Sequence, residues 1–86
     1  MSINKLKFSK VKEKNVLPEY ETDEFESNNR LYWFEIYRIK GWHYSLMRNN
    51  IGSEEIIHDS KPFNTLIECK GQAIKDYLNM GVDNEH

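Results

Sequence analysis

The chain has 86 residues, which is enough for one small domain. Its 12 basic and 14 acidic residues give a formal charge of −2, whereas dedicated nucleic-acid binders are usually clearly basic. Because the hydrophobic fraction is only 38%, a second copy or a partner protein is a natural supplement to the small core. One cysteine excludes an internal disulfide, and without a signal peptide or a long apolar run the sequence predicts a cytoplasmic protein outside membranes.

The first 30 residues divide by charge. Lysines dominate residues 1–14, whereas residues 19–26 carry five acids and no base. Leu17-Pro18 blocks a continuous helix through this region. The sequence therefore predicts a charged N-terminal arm over residues 1–30, which is either flexible or contributes an extra edge strand through Ile3, Leu6 and Phe8.

A segment dense in aromatic and β-branched residues begins at position 31 and predicts a β-hairpin. Apolar side chains alternate along both of its strands. They share one face only if Ile36 lies opposite Tyr44. This register also places Phe34 opposite Leu46 and leaves a three-residue loop that ends at Gly41, where left-handed backbone favours glycine.

A short third strand and a C-terminal helix follow the hairpin. The strand runs from about Glu55 to Asp59, and either Ile56 or Ile57 faces the core. Thr65-Leu-Ile-Glu68 matches a capping box, which marks the start of the helix. Its apolar residues are spaced to form one stripe toward the sheet: Leu66, Ile67, Ile74, Tyr77 and Leu78.

Two glycines refine the helix prediction. Gly71 lies on the apolar stripe, so a close approach of helix to sheet is its expected role. Gly81 is expected to cap the C-terminus of the helix. The predicted fold is α+β: a ββ-β-α domain over residues 31–81, with three antiparallel strands packed on one helix, and a frayed C-terminus at 82–86.

The order of residues resembles that of the YegP-like family of small bacterial proteins. The resemblance covers residues 32–78 and rests on Phe34-Glu-Ile-Tyr37, Trp42-x-Tyr-x-Leu46 and Ile57-x-x-Ser60-x-x-Phe63. It implies a ββ-β-α unit that occurs as a tandem repeat or pairs with another chain, and whose biochemical role is not established. The family usually has Asn-Gly after its second strand, whereas Ile51 separates Asn50 from Gly52 here.

The hairpin register leaves one sheet face uncovered by the helix. It carries the predicted partner-binding residues: Trp33, Tyr37, His43 and Met47. Such an apolar patch is larger than a monomer normally exposes, so it indicates an interface with a second copy or another protein. Alternatively, the N-terminal arm covers the patch with Phe8 or Phe25. The leading hypothesis is a non-enzymatic, self-associating interaction module, such as an accessory or regulatory protein of a bacterium or phage.

The alternative hypothesis is single-stranded nucleic-acid binding on the same face. Aromatic rings on a sheet can stack unpaired bases, and nearby cations can meet phosphates. The basic residues assigned to this role are Arg38, Lys40, Arg48, Lys5 and Lys7. Glu35 in the middle of the patch weighs against this hypothesis. A third alternative is that the acidic run at 19–26 mimics nucleic-acid charge.

No catalytic, metal or cofactor site is predicted. His43 and His58 have no second ligand at zinc-site spacing. His58 and Asp59 are neighbours on a strand, so their side chains are expected on opposite faces. Cys69 has no base one turn before it, which makes a buried thiol the expectation. The sequence therefore predicts a protein that is not an enzyme.

Overall fold

The computed structural model describes residues 6–11 and 19–80. The strands are β1 (Phe8–Lys10), β2 (Tyr20–Thr22), β3 (Phe25–Ser27), β4 (Arg30–Arg38), β5 (Trp42–Asn50) and β6 (Ser53–Asp59), and the helix is α1 (Leu66–Asn79). They form one antiparallel sheet in the order β1-β2-β4-β5-β6, with β3 also paired to β4. The α+β prediction with one C-terminal helix on an antiparallel sheet is confirmed, but the sheet has six strands rather than three.

The three additional strands come from the segment predicted as an arm. β2 and β3 pair with adjacent parts of β4, through Tyr20 opposite Ile36 and Phe25 opposite Tyr32. They are two halves of one interrupted strand. β1 then pairs with the outer side of β2 as an edge strand. Phe8 therefore lies in an edge strand, as one of the two predicted alternatives stated. Residues 8–10 and 20–27 are therefore not a flexible arm, while Ile3 lies outside the described residues.

The central hairpin has the predicted register. Ile36 lies opposite Tyr44 and Phe34 opposite Leu46, and three residues connect the strands. Gly41 in this loop has φ +125°, and a Cβ at this position would lie 3.0 Å from the Cβ of Pro62. Both the backbone conformation and the close contact therefore require glycine here.

The outer strand β6 differs from its prediction. A register shift between Leu46 and Met47 places Ile56 opposite Met47 and His58 opposite Leu46. Neither isoleucine of this strand enters the core, and Ile56 is 58% exposed. The bulge explains the error, because an extra residue in one strand moves the following side chains to the other face.

The core lies between α1 and the sheet. Phe34 and Ile36 are fully buried in the sheet, as are Cys69 and Ala73 on the helix. Each large apolar side chain buried there contributes about 1.5–3 kcal/mol relative to its exposed state. Phe25 extends the core over β3, because its ring lies 4.9 Å from that of Tyr77, edge to face.

The helix begins where it was predicted to begin. The Thr65 hydroxyl accepts from the Glu68 amide at 3.1 Å, and the Glu68 carboxylate accepts from the Thr65 amide at 3.3 Å. These reciprocal contacts are the capping box, and they satisfy two backbone donors that the helix itself leaves unpaired. Met80 forms the C-terminal cap, and Gly81 lies outside the described residues.

The apolar stripe of α1 differs from its prediction. Cys69, Ala73 and Tyr77 face the sheet, whereas Ile67, Ile74 and Leu78 are exposed. Gly71 is also exposed, and a Cβ there would have no heavy atom within 4 Å. The expectation that Gly71 permits a close helix–sheet approach is therefore wrong. Among residues 6–11 and 19–80, no contact compensates for the cost of about 1 kcal/mol in helix stability that this glycine carries.

Candidate functional site

The sheet face opposite α1 is called the open face. Alternation along the strands and their register place the following residues on it: Glu21, Trp33, Glu35, Tyr37, His43, Ser45, Met47, Ile56 and Asp59. The structure thus brings the four predicted partner-binding residues to one face. Two pairs lie directly opposite each other, Trp33 with Met47 and Tyr37 with His43.

The apolar part of the open face is less exposed than the sequence suggested. Trp33 is 7% exposed and Met47 is 6% exposed, although α1 lies on the other face. The indole nitrogen of Trp33 donates to Oε2 of Glu35 at 3.0 Å, which satisfies the polar atom of the ring. The expected broad apolar patch is therefore reduced mainly to the side chains of Ile56 on β6 and Leu31 on β4.

The N-terminal strands do not cover the open face. Phe25 packs on the helix side of the sheet, where its ring also stacks 5.7 Å from that of Phe34. Phe8 likewise lies on the helix side, with its ring 5.4 Å from the ammonium of Lys70. The alternative in which Phe8 or Phe25 folds back over Trp33 is therefore wrong.

The open face contains an acidic depression of about 600 Å³ beside Trp33. The break between β2 and β3 bounds it on one side, and the turn between β5 and β6 bounds it on the other. Its carboxylates come from both sides: Glu21, Asp23, Glu24 and Glu54. The sequence analysis singled out the acidic run at 19–26, which supplies Glu21, Asp23 and Glu24, but did not place it beside Trp33. Residues 19–26 were assigned to an arm, and only non-local strand pairing brings Glu21 beside Glu35.

The negative charge around the acidic depression affects the pKa of Glu35. Burial raises the pKa of the Glu35 carboxyl above its ordinary value, and the charges of Glu21 and Glu54 raise it further, while the hydrogen bond from Trp33 lowers it. Over residues 6–11 and 19–80, the one ion pair joins Arg48 to Glu55. No basic side chain of these ranges forms an ion pair with the depression.

The other end of the open face carries an ordered polar cluster. The rings of Tyr37 and His43 stack with centroids 5.2 Å apart and planes 5° apart. The Tyr37 hydroxyl donates to Oδ1 of Asp59 at 3.3 Å, and the Ser45 hydroxyl donates to the same oxygen. Nδ1 of His43 lies 3.2 Å from the Ser60 carbonyl oxygen, and in this contact the ring nitrogen donates. These bonds hold a flat aromatic surface at this end of the open face.

The arginines assigned to nucleic-acid binding lie on the helix side of the sheet. The Arg38 guanidinium lies 5.6 Å from the ring centre of Trp42. Arg48 lies opposite Tyr32 of the core, and its Nε donates to Glu55 at 3.2 Å. Both occupy even positions in strands whose odd positions form the open face. The structure therefore does not bring them to the stacked rings.

The lysines assigned to the same role lie in separate parts of the chain. Lys40 lies in the loop between β4 and β5, with φ +52°. Lys7 is exposed just before β1, and Lys5 lies outside the described residues. The described basic residues therefore form no continuous phosphate-binding surface with Trp33 and Tyr37.

Two titratable groups on the helix side, Cys69 and Tyr44, are buried. Burial raises the pKa of the Cys69 thiol to about 11, so the thiolate is strongly disfavoured. The Tyr44 hydroxyl donates to Asp76, and burial together with this carboxylate raises the tyrosine pKa. His58 lies near the Tyr44 ring, whereas Asp59 faces the other side of the sheet. In the described part of the chain, no group of three or more His, Cys, Asp or Glu residues could hold a metal ion.

Comparison with known proteins gives no relative. No protein-family model, curated protein or solved structure matches the chain. The resemblance to the YegP-like family therefore stays a prediction. Among the described residues, no helix is long and apolar enough to cross a membrane.

Proposed function

We propose that this protein is a non-enzymatic interaction module that binds a basic segment of a partner protein at its open face. The observation that carries the proposal is the acidic depression around Trp33. Four carboxylates line it and a fifth, that of Glu35, has a pKa raised partly by its acidic neighbours. Mutual repulsion of this kind is relieved when a cation enters, so the face favours positively charged partners.

The side chains beside the depression define the partner chemistry further. Lysine and arginine combine a charged head with an apolar stem. The head can meet Glu21 or Glu54, while the stem packs on the exposed side chain of Ile56. An arginine can also make two parallel hydrogen bonds to one carboxylate. The half-exposed rings of Tyr37 and His43 provide a flat surface for the next part of the segment.

The same charges oppose nucleic-acid binding at this face. Phosphates are attracted by clustered lysines and arginines, and their binding releases counterions. Here Trp33 donates a hydrogen bond to Glu35 and Tyr37 donates one to Asp59, while Arg38 and Arg48 lie on the helix side. The charge arrangement therefore supports a basic protein segment over a single-stranded nucleic acid.

A titration followed by amide and indole NMR resonances tests the proposal. A short lysine-rich peptide at low salt should shift the Trp33 indole N–H and the amides around Glu54, and added salt should reverse the shifts. An oligothymidylate and a glutamate-rich peptide should not produce these shifts. If the oligonucleotide shifts them and the lysine peptide does not, the proposal is wrong.

Matched variants test whether peptide binding depends on the carboxylates of the acidic depression. Glu21→Gln combined with Glu54→Gln removes two charges from the depression at nearly constant shape and should weaken peptide binding. Glu68→Gln removes one charge from the helix layer and retains a side chain that can complete the capping box, so it is the control. If Glu68→Gln weakened binding by half as much in free energy as the double change, the effect would follow net charge alone and would contradict a defined site.

A further inference from the structure

The outer surface of α1 carries an apolar seam formed by Ile67, Gly71, Ile74 and Leu78. Ile67 is 81% exposed and Leu78 is 55% exposed. The positions are separated by four, three and four residues, which is the spacing of an interhelical seam in a coiled coil. A second stripe, Cys69, Ala73 and Tyr77, already faces the sheet. The core of the described residues therefore does not use the seam.

Gly71 in the middle of the seam has no role within the described chain. A Cβ at this position would meet open space, and the backbone there is ordinary helix. Glycine inside a helix is unfavourable relative to alanine. On a helix surface, however, a missing side chain lets another helix approach closely and accept a large side chain into the gap. The seam thus combines three apolar projections with one recess.

We propose that two copies of this chain associate through α1, with the helices antiparallel and related by a two-fold axis between Gly71 and Ile74. In this arrangement Ile67 of one copy meets Leu78 of the other, and Ile74 enters the recess at Gly71. Each contact occurs twice, as a two-fold interface requires. The proposal concerns the helix layer and is independent of the basic segment proposed for the open face.

The charges beside the seam select the antiparallel orientation. Glu68 and Lys75 lie on the same flank of the seam, two helical turns apart. Antiparallel helices place the Glu68 carboxylate of one copy near the Lys75 ammonium of the other, and the symmetry repeats this pair. In a parallel pair, the flank that carries Glu68 and Lys75 would face the opposite flank of the second copy, so this ion pair would not form. A second copy therefore complements the seam in both shape and charge.

The size of the contact sets the expected affinity. α1 has 14 residues, so at 1.5 Å per residue the shared helix surface is about 21 Å long. This is at the small end of specific interfaces, so we expect a dissociation constant in the micromolar range. Sedimentation velocity of the full chain should show a concentration-dependent change from 10.3 kDa to twice that mass.

Two exposed isoleucines provide a matched pair of variants. Ile67→Asp places a charge on the seam, in the first turn of the helix where an acid is well tolerated. It should raise the dimer dissociation constant at least about tenfold. Ile51→Asp changes a still more exposed isoleucine at the turn between β5 and β6 and should leave the dissociation constant unchanged. A wild-type chain that stays monomeric at about 1 mM, or a dimer insensitive to Ile67→Asp, would overturn the proposal.

Gly71→Ala is expected to have opposite effects on the stability of the monomer and on the stability of the dimer. The added methyl has open space in the monomer, so the thermal midpoint of a dilute monomeric sample should rise by about 4–8 °C. The same methyl fills the recess for Ile74 of the second copy, so the dimer dissociation constant should also rise. Lys75→Glu should weaken the dimer, and salt should reduce this effect. A Gly71→Ala chain that is more stable and also dimerises more tightly would contradict the proposed recess.

Discussion

Replacement of Ile51 with asparagine should stabilise the folded protein. Asn50 lies opposite Ser53, so Ile51 and Gly52 form a two-residue hairpin turn. Ile51 has φ +34°, in the left-handed region that β-branched residues rarely adopt. Its side chain is 96% exposed, so removal of that side chain sacrifices almost no packing.

The expected magnitude follows from this backbone conformation. A left-handed conformation costs an ordinary residue roughly 1–2 kcal/mol, and asparagine tolerates it at lower cost. Asn-Gly is also a preferred pair for a hairpin turn in which both central residues have positive φ. The free energy of unfolding should therefore rise by about 1 kcal/mol, which corresponds to a thermal midpoint about 4–8 °C higher in a domain of this size.

Urea unfolding followed by circular dichroism measures the effect, with an unchanged m-value as the sign that the folded and unfolded states keep their compactness. The turn between β3 and β4 provides the reciprocal control. Asn28 and Asn29 there have φ +54° and +64°. Asn28→Ile should therefore lower the free energy of unfolding by a similar amount. The reasoning from turn strain would be refuted if Ile51→Asn left the free energy of unfolding unchanged or lowered it, while Asn28→Ile lowered it as expected.

Three further outcomes follow from the described contacts. Phe25→Ala should lower the unfolding free energy by about 2–3 kcal/mol in urea, because Phe25 joins β3 to the core but is only partly buried. Glu35→Gln should raise stability at neutral pH, and this gain should disappear in pH titrations below 4.5, where the carboxyl is protonated in both states. Because burial raises the pKa of Cys69 to about 11 from 9.0, stability should fall as pH rises through this interval, and the native thiol should resist labelling at about pH 8.

The hairpin register and the helix start could be predicted because both are encoded locally. Alternating apolar residues on the two strands fit one face in only one register, and Gly41 fits the loop that this register requires. Thr65 and Glu68 are three residues apart, so their reciprocal hydrogen bonds need no tertiary information.

The inward stripe of α1 could not be predicted from apolar spacing. Two stripes on this helix have the same three-and-four spacing, and large side chains lie mainly on the outer one. Cys69 and Ala73 have small side chains, whereas Ile67 and Ile74 are large and apolar. A prediction based on hydrophobicity therefore turns Ile67 and Ile74 toward the sheet, although the small residues pack there. The need for close helix–sheet packing decides which stripe turns inward, and this depends on the opposite surface.

The strands β2 and β3 and the acidic depression were not predicted, and the edge strand β1 was only one of two alternatives, for a related reason. β1, β2 and β3 have three residues each and lie among charged residues, so they give almost no period-two signal. Their stability comes from pairing with β4 and from contacts such as Phe25 with Tyr77. Glu21 becomes a neighbour of Glu35 only through that pairing, so the site does not exist as a local motif.

The pKa of Glu35 measured by carboxyl NMR, with and without a lysine-rich peptide, tests the proposed function most directly. In the free protein the pKa should exceed 4.5, since burial and the charges of Glu21 and Glu54 favour the protonated form. A cationic peptide in the acidic depression should lower this pKa, and the Glu21→Gln/Glu54→Gln chain should show a smaller change. A pKa that is not raised in the free protein, or that stays fixed when the peptide is added, would contradict the proposal.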